Sequence, residues 1–328
     1  MLDNSDMSKK ILDYFNQKYG QIVAPAGLLK ILSTISPFAN SHLPCLNIFH
    51  VSPTRQFKTQ TSTETQKMIK KKNFIDLPSD TTMNSLLEEY KNFGKKVLFI
   101  NDCTTLFATK SSRTKERLVG GCTNLLTEGE WSYGDKATRV SKLTGFVSMI
   151  VNMTNESYNE YEARLLGITF LERFLTIFYR LPEQDIRYFL EHKNEKMKIR
   201  WKGQIKFRKP EITNFDKYKL TLIDYAKRWS GLSVKSINGC FDQIESLIHA
   251  HLALNMRSKI TQDELDLLKM IEPYLIDPFA PNNPRIIQLH RSGYSVKDIC
   301  LILDKDPEHY KKQVYRVLNK AKERGVIQ

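Results

Sequence analysis

The sequence predicts an α/β protein built around a parallel sheet, and three observations lead to that prediction. Apolar runs at residues 46–51, 97–100 and 145–153 have the length of strands. Polar, helix-like segments separate these runs, which is typical of parallel strands joined by crossover helices. Each run is almost continuously apolar, as expected for strands that are buried on both faces. We therefore predict a three-layer α/β core.

The composition limits the protein class and its partners. The 328 residues include 41% hydrophobic residues, enough for more than one folded domain. Lys and Arg number 50 against 36 Asp and Glu, and a net charge of +14 favours a polyanionic partner such as DNA. No run approaches the roughly 18 apolar residues of a membrane span, and the first residues are too polar for a secretory signal. The five scattered cysteines fit a reducing compartment, so we expect a cytoplasmic protein without a membrane partner.

Pattern and composition divide the chain into five segments. Basic residues concentrate in residues 191–219, where basic and apolar residues alternate around Gly203. This alternation is typical of a β-hairpin spanning 199–207. The predicted segments are an N-terminal helical segment (1–40), an α/β core (41–190), a basic linker with a possible hairpin (191–219), a helical lid (220–278) and a C-terminal helical domain (279–328).

The stretch VSPTRQFKTQT, residues 51–61, follows the first apolar run and has the outline of a phosphate-binding loop. Such a loop has the pattern GxxxxGK[ST], in which Lys reaches the β/γ-phosphates and Ser or Thr binds Mg²⁺. Lys58 and Thr59 match the last two positions, whereas Ser52 and Phe57 stand at the glycine positions. We predict nucleotide binding by Ser52, Lys58 and Thr59, with Thr59 also a Mg²⁺ ligand.

Polar residues follow the two later apolar runs. In VLFIND, residues 97–102, Asn101 is the candidate to hold Mg²⁺ and Asp102 the candidate general base. If Asp102 is instead the Mg²⁺ ligand, Cys103 takes the position of the base. VSMIVNMTN, residues 147–155, ends a strand in the same way.

Taken in order, these three motifs resemble those of the AAA+ ATPase superfamily. The resemblance covers roughly residues 40 to 270 and implies a P-loop ATPase-like fold that uses ATP and Mg²⁺. It also implies that Asn152, or Thr154, orients the attacking water.

Two arginines gain candidate roles from the same resemblance. FLERFL, residues 170–175, is similar to a segment that would make Arg173 a catalytic finger acting on a neighbouring subunit, which implies a homo-oligomer. Residues 244–268 are similar to a lid helix, in which Arg257 would contact the nucleotide. Independently of the resemblance, Thr261 and Glu264 form a capping-box pattern that marks a helix start.

The last segment predicts a helix-turn-helix. Gly293 ends one helix, Ser295 caps the next, and Pro307 begins the last. The segment resembles the winged-helix or helix-turn-helix domains of AAA+ replication proteins, and the plain helix-turn-helix is preferred. Its last helix carries four candidate DNA-binding residues: Lys311, Lys312, Arg316 and Lys320.

Two functional hypotheses follow from the sequence. The first is a DNA-associated AAA+-like ATPase with a degenerate nucleotide site, acting with other proteins in DNA replication, recombination or mobile-element maintenance. The second is a non-enzymatic DNA-binding regulator or loader that retains an inactive ATPase scaffold. A nuclease is disfavoured, because no acidic cluster with a lysine has the spacing that such a metal site needs.

Overall fold

The protein was analysed as a computed structural model, which describes residues 6–40, 44–77, 92–103, 112–135, 138–167, 170–233, 235–277, 282–303 and 305–323. The strands are β1 (Ile48–Val51), β2 (Phe74–Asp76), β3 (Asn92–Ile100), β4 (Glu130–Asp135), β5 (Thr138–Met153) and β6 (Leu175–Phe178). The helices of the first half are α1 (Met7–Tyr19), α2 (Ala24–Ala39), α3 (Lys58–Met68), α4 (Ser112–Glu128), α5 (Asn155–Gly167), α6 (Glu183–Glu191) and α7 (Lys193–Lys198).

These strands form one sheet in the order β2-β3-β5-β1-β6, and neighbours along this path are parallel. The predicted α/β class with a parallel sheet is confirmed. The short strand β4 pairs antiparallel with the first half of β5, from Thr138 to Thr144. Because β5 lies between β1 and β3, the residues that follow these three strands lie next to one another at the carboxyl edge.

Side chains alternate between the two faces of β1. Ile48 belongs to a hydrophobic cluster on the face covered by α1 and α2, whereas Phe49 and Val51 belong to a second cluster with residues of α4 and α5. Alternation with a period of two is the geometry of a strand that is buried on both faces. The core therefore has helices on both sides of the sheet.

The second half is largely helical. It contains α8 (Phe215–Leu232), α9 (Ile237–Leu254), α10 (Gln262–Ile271), α11 (Asn282–Arg291), α12 (Val296–Ile302) and α13 (Pro307–Glu323). Helix α9 packs along α2, and α8 packs against α9 and α11. The Thr261 and Glu264 capping box is present, and Ser295 caps α12 as its sequence predicts.

The basic linker differs from its prediction. All residues from 199 to 214 are described, and none of them pairs as a strand. Their backbone groups bond elsewhere: Ile205 N–H donates to the Met68 carbonyl at the end of α3, and Arg208 N–H donates to the Ala253 carbonyl near the end of α9. The Trp201 ring packs edge-on against Tyr14 of α1. The segment is therefore a strap across several helices instead of a hairpin.

Candidate nucleotide site

Residues 52–57 connect β1 directly to α3 at the carboxyl edge of the sheet. Arg55 and Phe57 have φ angles of 61° and 67°, in the left-handed region that favours glycine. Phe57 is the N-cap of α3, and its side chain makes no capping hydrogen bond. The N-cap side chain therefore leaves the first backbone N–H groups of α3 uncapped. Uncapped N–H groups at the start of a helix can attract an anion.

The ring of Phe57 packs into an aromatic cluster. Its centroid lies 4.4 Å from that of Phe189 in α6 and 5.1 Å from that of Tyr19 in α1, and the residue is 6% exposed. The side chain therefore anchors the loop to two helices. This burial offsets the strain of roughly 1–3 kcal/mol expected for a bulky residue at positive φ.

Lys58 closes the loop on itself. Its Nζ donates to the Pro53 carbonyl at 2.7 Å and to the Ser52 carbonyl. Burial lowers the pKa of Lys58 to about 8, although the nearby carboxylates of Glu156 and Asp102 act in the opposite direction. An ammonium group with this pKa remains mostly charged at neutral pH, so it can exchange the two carbonyls for phosphate oxygens.

Two hydroxyl groups flank Lys58. The Ser52 hydroxyl is buried next to the Tyr179 hydroxyl. Thr59 lies exposed on the first turn of α3. A buried hydroxyl, an exposed hydroxyl, an ammonium and the start of a helix are a donor set that fits a phosphate group.

Helix α3 is fixed against α1 by a buried ion pair. Lys18 Nζ lies 3.2 Å from Glu64 Oε1, and the Lys18 side chain is inaccessible to solvent. The Tyr14 hydroxyl donates to Glu64 Oε2 at 2.5 Å. Because Glu64 is satisfied by both partners, this pair stabilises the position of α3 relative to the N-terminal helices.

The carboxyl ends of β3 and β5 bring the second part of the candidate site alongside the loop. Asn152 Nδ2 lies 3.4 Å from Asn101 Oδ1, and Asn101 Nδ2 donates to Asp76 Oδ1 at 3.0 Å. Asp102 is exposed beside them and is close enough to Lys58 to influence its pKa. The structure therefore brings Lys58, Asn101, Asp102 and Asn152 together.

Lys30 of α2 is a member of this cluster that the sequence analysis missed. Its side chain is fully buried, and its Nζ lies 2.7–2.9 Å from four oxygen atoms. These are the Lys58 carbonyl, Thr61 Oγ1, Ser62 Oγ and Asn152 Oδ1. A lone lysine in the apolar run GLLKILSTI was the available signal, because such a residue is rarely buried without partners.

Thr154 has a local structural partner. Its Oγ1 accepts a hydrogen bond from Ser157 N–H at 3.2 Å, which caps the first turn of α5. The Asn152 amide is engaged more fully, since Lys30 donates to its oxygen and its Nδ2 donates to Ser62 Oγ at 3.0 Å. Both polar groups at the end of β5 are therefore used within the chain.

Arg173 lies at the opposite edge of the sheet from Lys58. It ends a short 3₁₀ turn, Leu171–Arg173, that precedes β6, and its carbonyl accepts from Asn47 Nδ2 at 3.0 Å just before β1. The amino ends of both strands meet at this edge, whereas Lys58 follows the carboxyl end of β1. Arg173 cannot reach Lys58 of its own chain from this position.

Arg257 is also remote from the loop. It follows α9 and pairs with Asp263. Asn255, two residues earlier, bonds to Ser8 at the start of α1, whereas Phe57 contacts Tyr19 at the end of α1. Those two positions are separated by roughly 16 Å of helix at 1.5 Å per residue. The structure does not bring Arg257 to the candidate nucleotide site.

The candidate DNA-binding residues lie on α13. Lys311, Lys312 and Arg316 are exposed, while Val314, Val317 and Leu318 of the same helix are buried in the core. The Lys320 side chain lies outside the described part of the chain. The charged residues therefore form an outward face on a helix that is anchored by its apolar face.

The fold and these residues define an α/β protein with a loop-to-helix junction that carries Lys58 at the carboxyl edge of a parallel sheet. No protein-family model matches the sequence, and no curated protein matches it significantly. Among the residues that the structure describes, no group of three His, Cys, Asp or Glu side chains could hold a metal ion. None of the helices in the described ranges is long and apolar enough to cross a membrane.

Proposed function

We propose that the protein is a DNA-associated AAA+-like protein that binds ATP at residues 52–59 and acts in DNA replication, recombination or mobile-element maintenance. One observation carries the proposal. The loop with Lys58, the pair Asn101 and Asp102, and Asn152 follow three neighbouring strands and meet at one edge. This is the arrangement that the resemblance to AAA+ ATPases requires, and the edge outside the carboxyl ends of parallel strands is where such sheets bind ligands.

The residues have separate tasks in this proposal. The first N–H groups of α3 and the Lys58 ammonium bind phosphate oxygens, and the Ser52 hydroxyl supplies a further donor. Thr59, with Asn101 or Asp102, would hold Mg²⁺, which neutralises phosphate charge when it is bound. Arg173 lies at the amino edge of the sheet, so in this proposal it would act on the nucleotide of a second copy of the chain.

A second candidate is a non-enzymatic DNA-binding regulator or loader with an inactive ATPase scaffold. The hydrogen bonds of Asn152 favour it. A group that orients water must keep an oxygen or N–H available, yet Lys30, Ser62 and Asn101 occupy this amide. Binding without hydrolysis is the outcome expected from that candidate.

Replacing Lys58 with alanine tests the nucleotide site. A lysine-to-phosphate contact contributes roughly 1.5–3 kcal/mol, so we expect the variant to bind a fluorescent ATP analogue about 10–100-fold more weakly in the presence of Mg²⁺. Lys70→Ala is the matched control, because Lys70 is exposed just beyond α3 and should leave affinity within twofold. Equal, negligible binding by the wild type and Lys58→Ala would contradict the proposal. Release of phosphate from ATP then distinguishes the two candidates.

Affinity should also depend on pH through Lys58. With a pKa of about 8, the charged fraction of Lys58 falls from about nine-tenths at pH 7 to about one-tenth at pH 9. Because phosphate binds the charged form, the dissociation constant of the wild type should rise about tenfold over this range. The Lys58→Ala variant should show no such rise, and a parallel change in both proteins would assign the effect to another group.

The face of α13 supports DNA contact. Substituting glutamine for Lys311, Lys312 and Arg316 in the full chain should lower affinity for duplex DNA at least tenfold. The slope of log K against log salt should fall by about 2–3, since each lost phosphate contact removes close to one unit. Fluorescence anisotropy with labelled duplex at several salt concentrations measures both quantities.

The matched control removes three positive charges from another helix. Lys217, Lys219 and Lys227 are all exposed on α8. Glutamine at these positions changes the net charge equally, so equal losses in the two triple variants would attribute DNA binding to net charge and not to α13.

A further inference from the structure

A large cavity lies where the candidate loop, the end of the sheet and the C-terminal helices meet. Its volume is about 780 Å³, within the range of small-molecule sites. Gln56 of the loop forms one wall, residues 180–183 and 186 after β6 form the second, and Arg285 of α11 with residues 302, 303 and 305 forms the third. A molecule in this cavity would touch the core and the C-terminal helices at once.

The lining of the cavity is basic. Among the lining residues that the structure describes, Arg180, Arg285 and Lys305 supply three positive charges and Glu183 supplies one carboxylate. Each of the three cations comes from a different part of the fold: the segment after β6, helix α11 and the residues after α12. The excess of positive charge, converging from separate elements, favours an anionic ligand.

Arg285 is the buried member of this set. The residue is 7% exposed, and its Nη2 reaches the Ile302 carbonyl only at 3.5 Å. Its Nε has no hydrogen-bond partner within the described residues. Burial lowers the pKa of Arg285, while the charge of Asp277 acts in the opposite direction. An arginine stays protonated in proteins, so this guanidinium retains donors that an oxyanion can satisfy.

The loop wall of the cavity is fixed in place. Leu181 N–H donates to Gln56 Oε1 at 2.9 Å, and the Tyr179 hydroxyl donates to the Gln56 carbonyl. These bonds join the loop to the segment after β6, from which Arg180 extends. A preformed wall lowers the ordering cost of binding.

We propose that this cavity binds the phosphate group of a small phosphorylated ligand, with Arg285 as the buried anchor and Arg180 and Lys305 as outer contacts. Binding joins α11–α13 to the carboxyl edge of the sheet. The inference does not depend on nucleotide binding by Lys58. Inorganic phosphate and the phosphates of a nucleotide share this chemistry, and they are separate arms of the test.

Isothermal titration of the full chain with inorganic phosphate, and separately with ATP, tests the proposal. The double variant Arg180→Gln, Lys305→Gln changes exposed residues and should fold; we expect its dissociation constant for the bound ligand to rise at least tenfold. The control double variant Lys219→Gln, Lys297→Gln removes the same charge outside the cavity and should stay within twofold. Saturable binding of inorganic phosphate identifies the free ion as sufficient, whereas binding of ATP alone identifies a nucleotide.

Three results would overturn the proposal. The first is that the wild type binds neither ligand saturably. The second is that the two double variants lose affinity equally. The third is that Lys58→Ala loses binding while the double variant Arg180→Gln, Lys305→Gln retains it. The last result would place the phosphate in loop 52–57 alone. As a second readout, the bound ligand should slow amide hydrogen exchange at least threefold in α11–α13 of the wild type, but not of the cavity double variant.

Discussion

Replacement of Lys30 with methionine is expected to lower the free energy of unfolding by about 2–4 kcal/mol, although burial and the charge of Lys58 lower the pKa of Lys30 well below its ordinary value. The variant takes away the donor to four oxygens around the start of α3 and the end of β5. A buried acceptor left without a donor costs roughly 1–3 kcal/mol. Thr61 and Ser62 retain bonds to the Lys58 carbonyl, so the largest loss falls on Asn152 Oδ1.

Urea unfolding monitored by circular dichroism measures this effect. Leu29→Met is the matched control, since Leu29 is fully buried on the same helix and the exchange preserves volume. Such exchanges usually cost less than about 1.5 kcal/mol. A Lys30→Met variant that is as stable as the wild type would show that the four oxygens need no ammonium.

Replacement of Lys235 with methionine is expected to have the opposite effect, raising the free energy of unfolding by roughly 2–4 kcal/mol at pH 6. Lys235 is 5% exposed, and its Nζ has no hydrogen-bond partner within the described residues. Burial lowers the pKa of Lys235 to about 7; the charge of Arg173 acts in the same direction, and the charges of Cys240, Asp242 and Glu172 oppose it. Each unit of pKa shift corresponds to about 1.4 kcal/mol. The expected gain in free energy of unfolding is set below the value that the full pKa shift would give.

The sign of the pH dependence follows from the lowered pKa. Between pH 7 and about 10.5 the unfolded chain holds a proton on Lys235 that the folded chain has released, so wild-type stability rises with pH in this window. Below pH 7 both states are protonated and the full penalty of a buried charge is present. The advantage of Lys235→Met should therefore be greatest at pH 6 and shrink towards pH 10.

Urea unfolding at pH 6, 8 and 10 tests this prediction. The measured quantity is the difference in free energy of unfolding between variant and wild type, because the contributions of most other titrating groups cancel in it. Lys227→Met on α8 is the control, because the Lys227 side chain is 59% exposed and should change stability by less than about 0.5 kcal/mol. A variant that is less stable than the wild type at pH 6 would show that Lys235 has a partner in solution.

The contrast between the two lysines has a simple physical origin. Both are almost completely removed from water, but the Lys30 Nζ has four oxygen neighbours, whereas the Lys235 Nζ has no hydrogen-bond partner among the residues that the structure describes. Removing water from a charge is unfavourable unless other dipoles replace it. Burial alone therefore does not determine the effect of a substitution.

Local pattern was sufficient to predict several elements. The apolar runs became β1, β3 and β5, and Lys58 begins a helix directly after the first of them. The capping box at Thr261 and the cap at Ser295 depend on residues three positions apart, so short sequence windows contain all the information they need. The parallel pairing could be predicted because helical segments separate the strands.

Other features depended on partners far away in the chain. The apparent hairpin at 199–207 is a strap, because its backbone groups bond to the ends of α3 and α9 instead of to each other. The antiparallel strand β4 was not predicted. Arg173 lies in a 3₁₀ turn at the amino edge, and Arg257 pairs with Asp263 away from the loop. No local window specifies these positions.

The sequence by itself determined the α/β class, the parallel strands and the position of the loop that carries Lys58. Only the tertiary structure decided how that loop is built. It directs the Phe57 ring between Tyr19 and Phe189, and it places Lys30 against Asn152, a residue 122 positions later. The physical reason is that strand and helix formation follows from neighbouring residues, whereas the environment of a side chain is set by whichever elements pack around it.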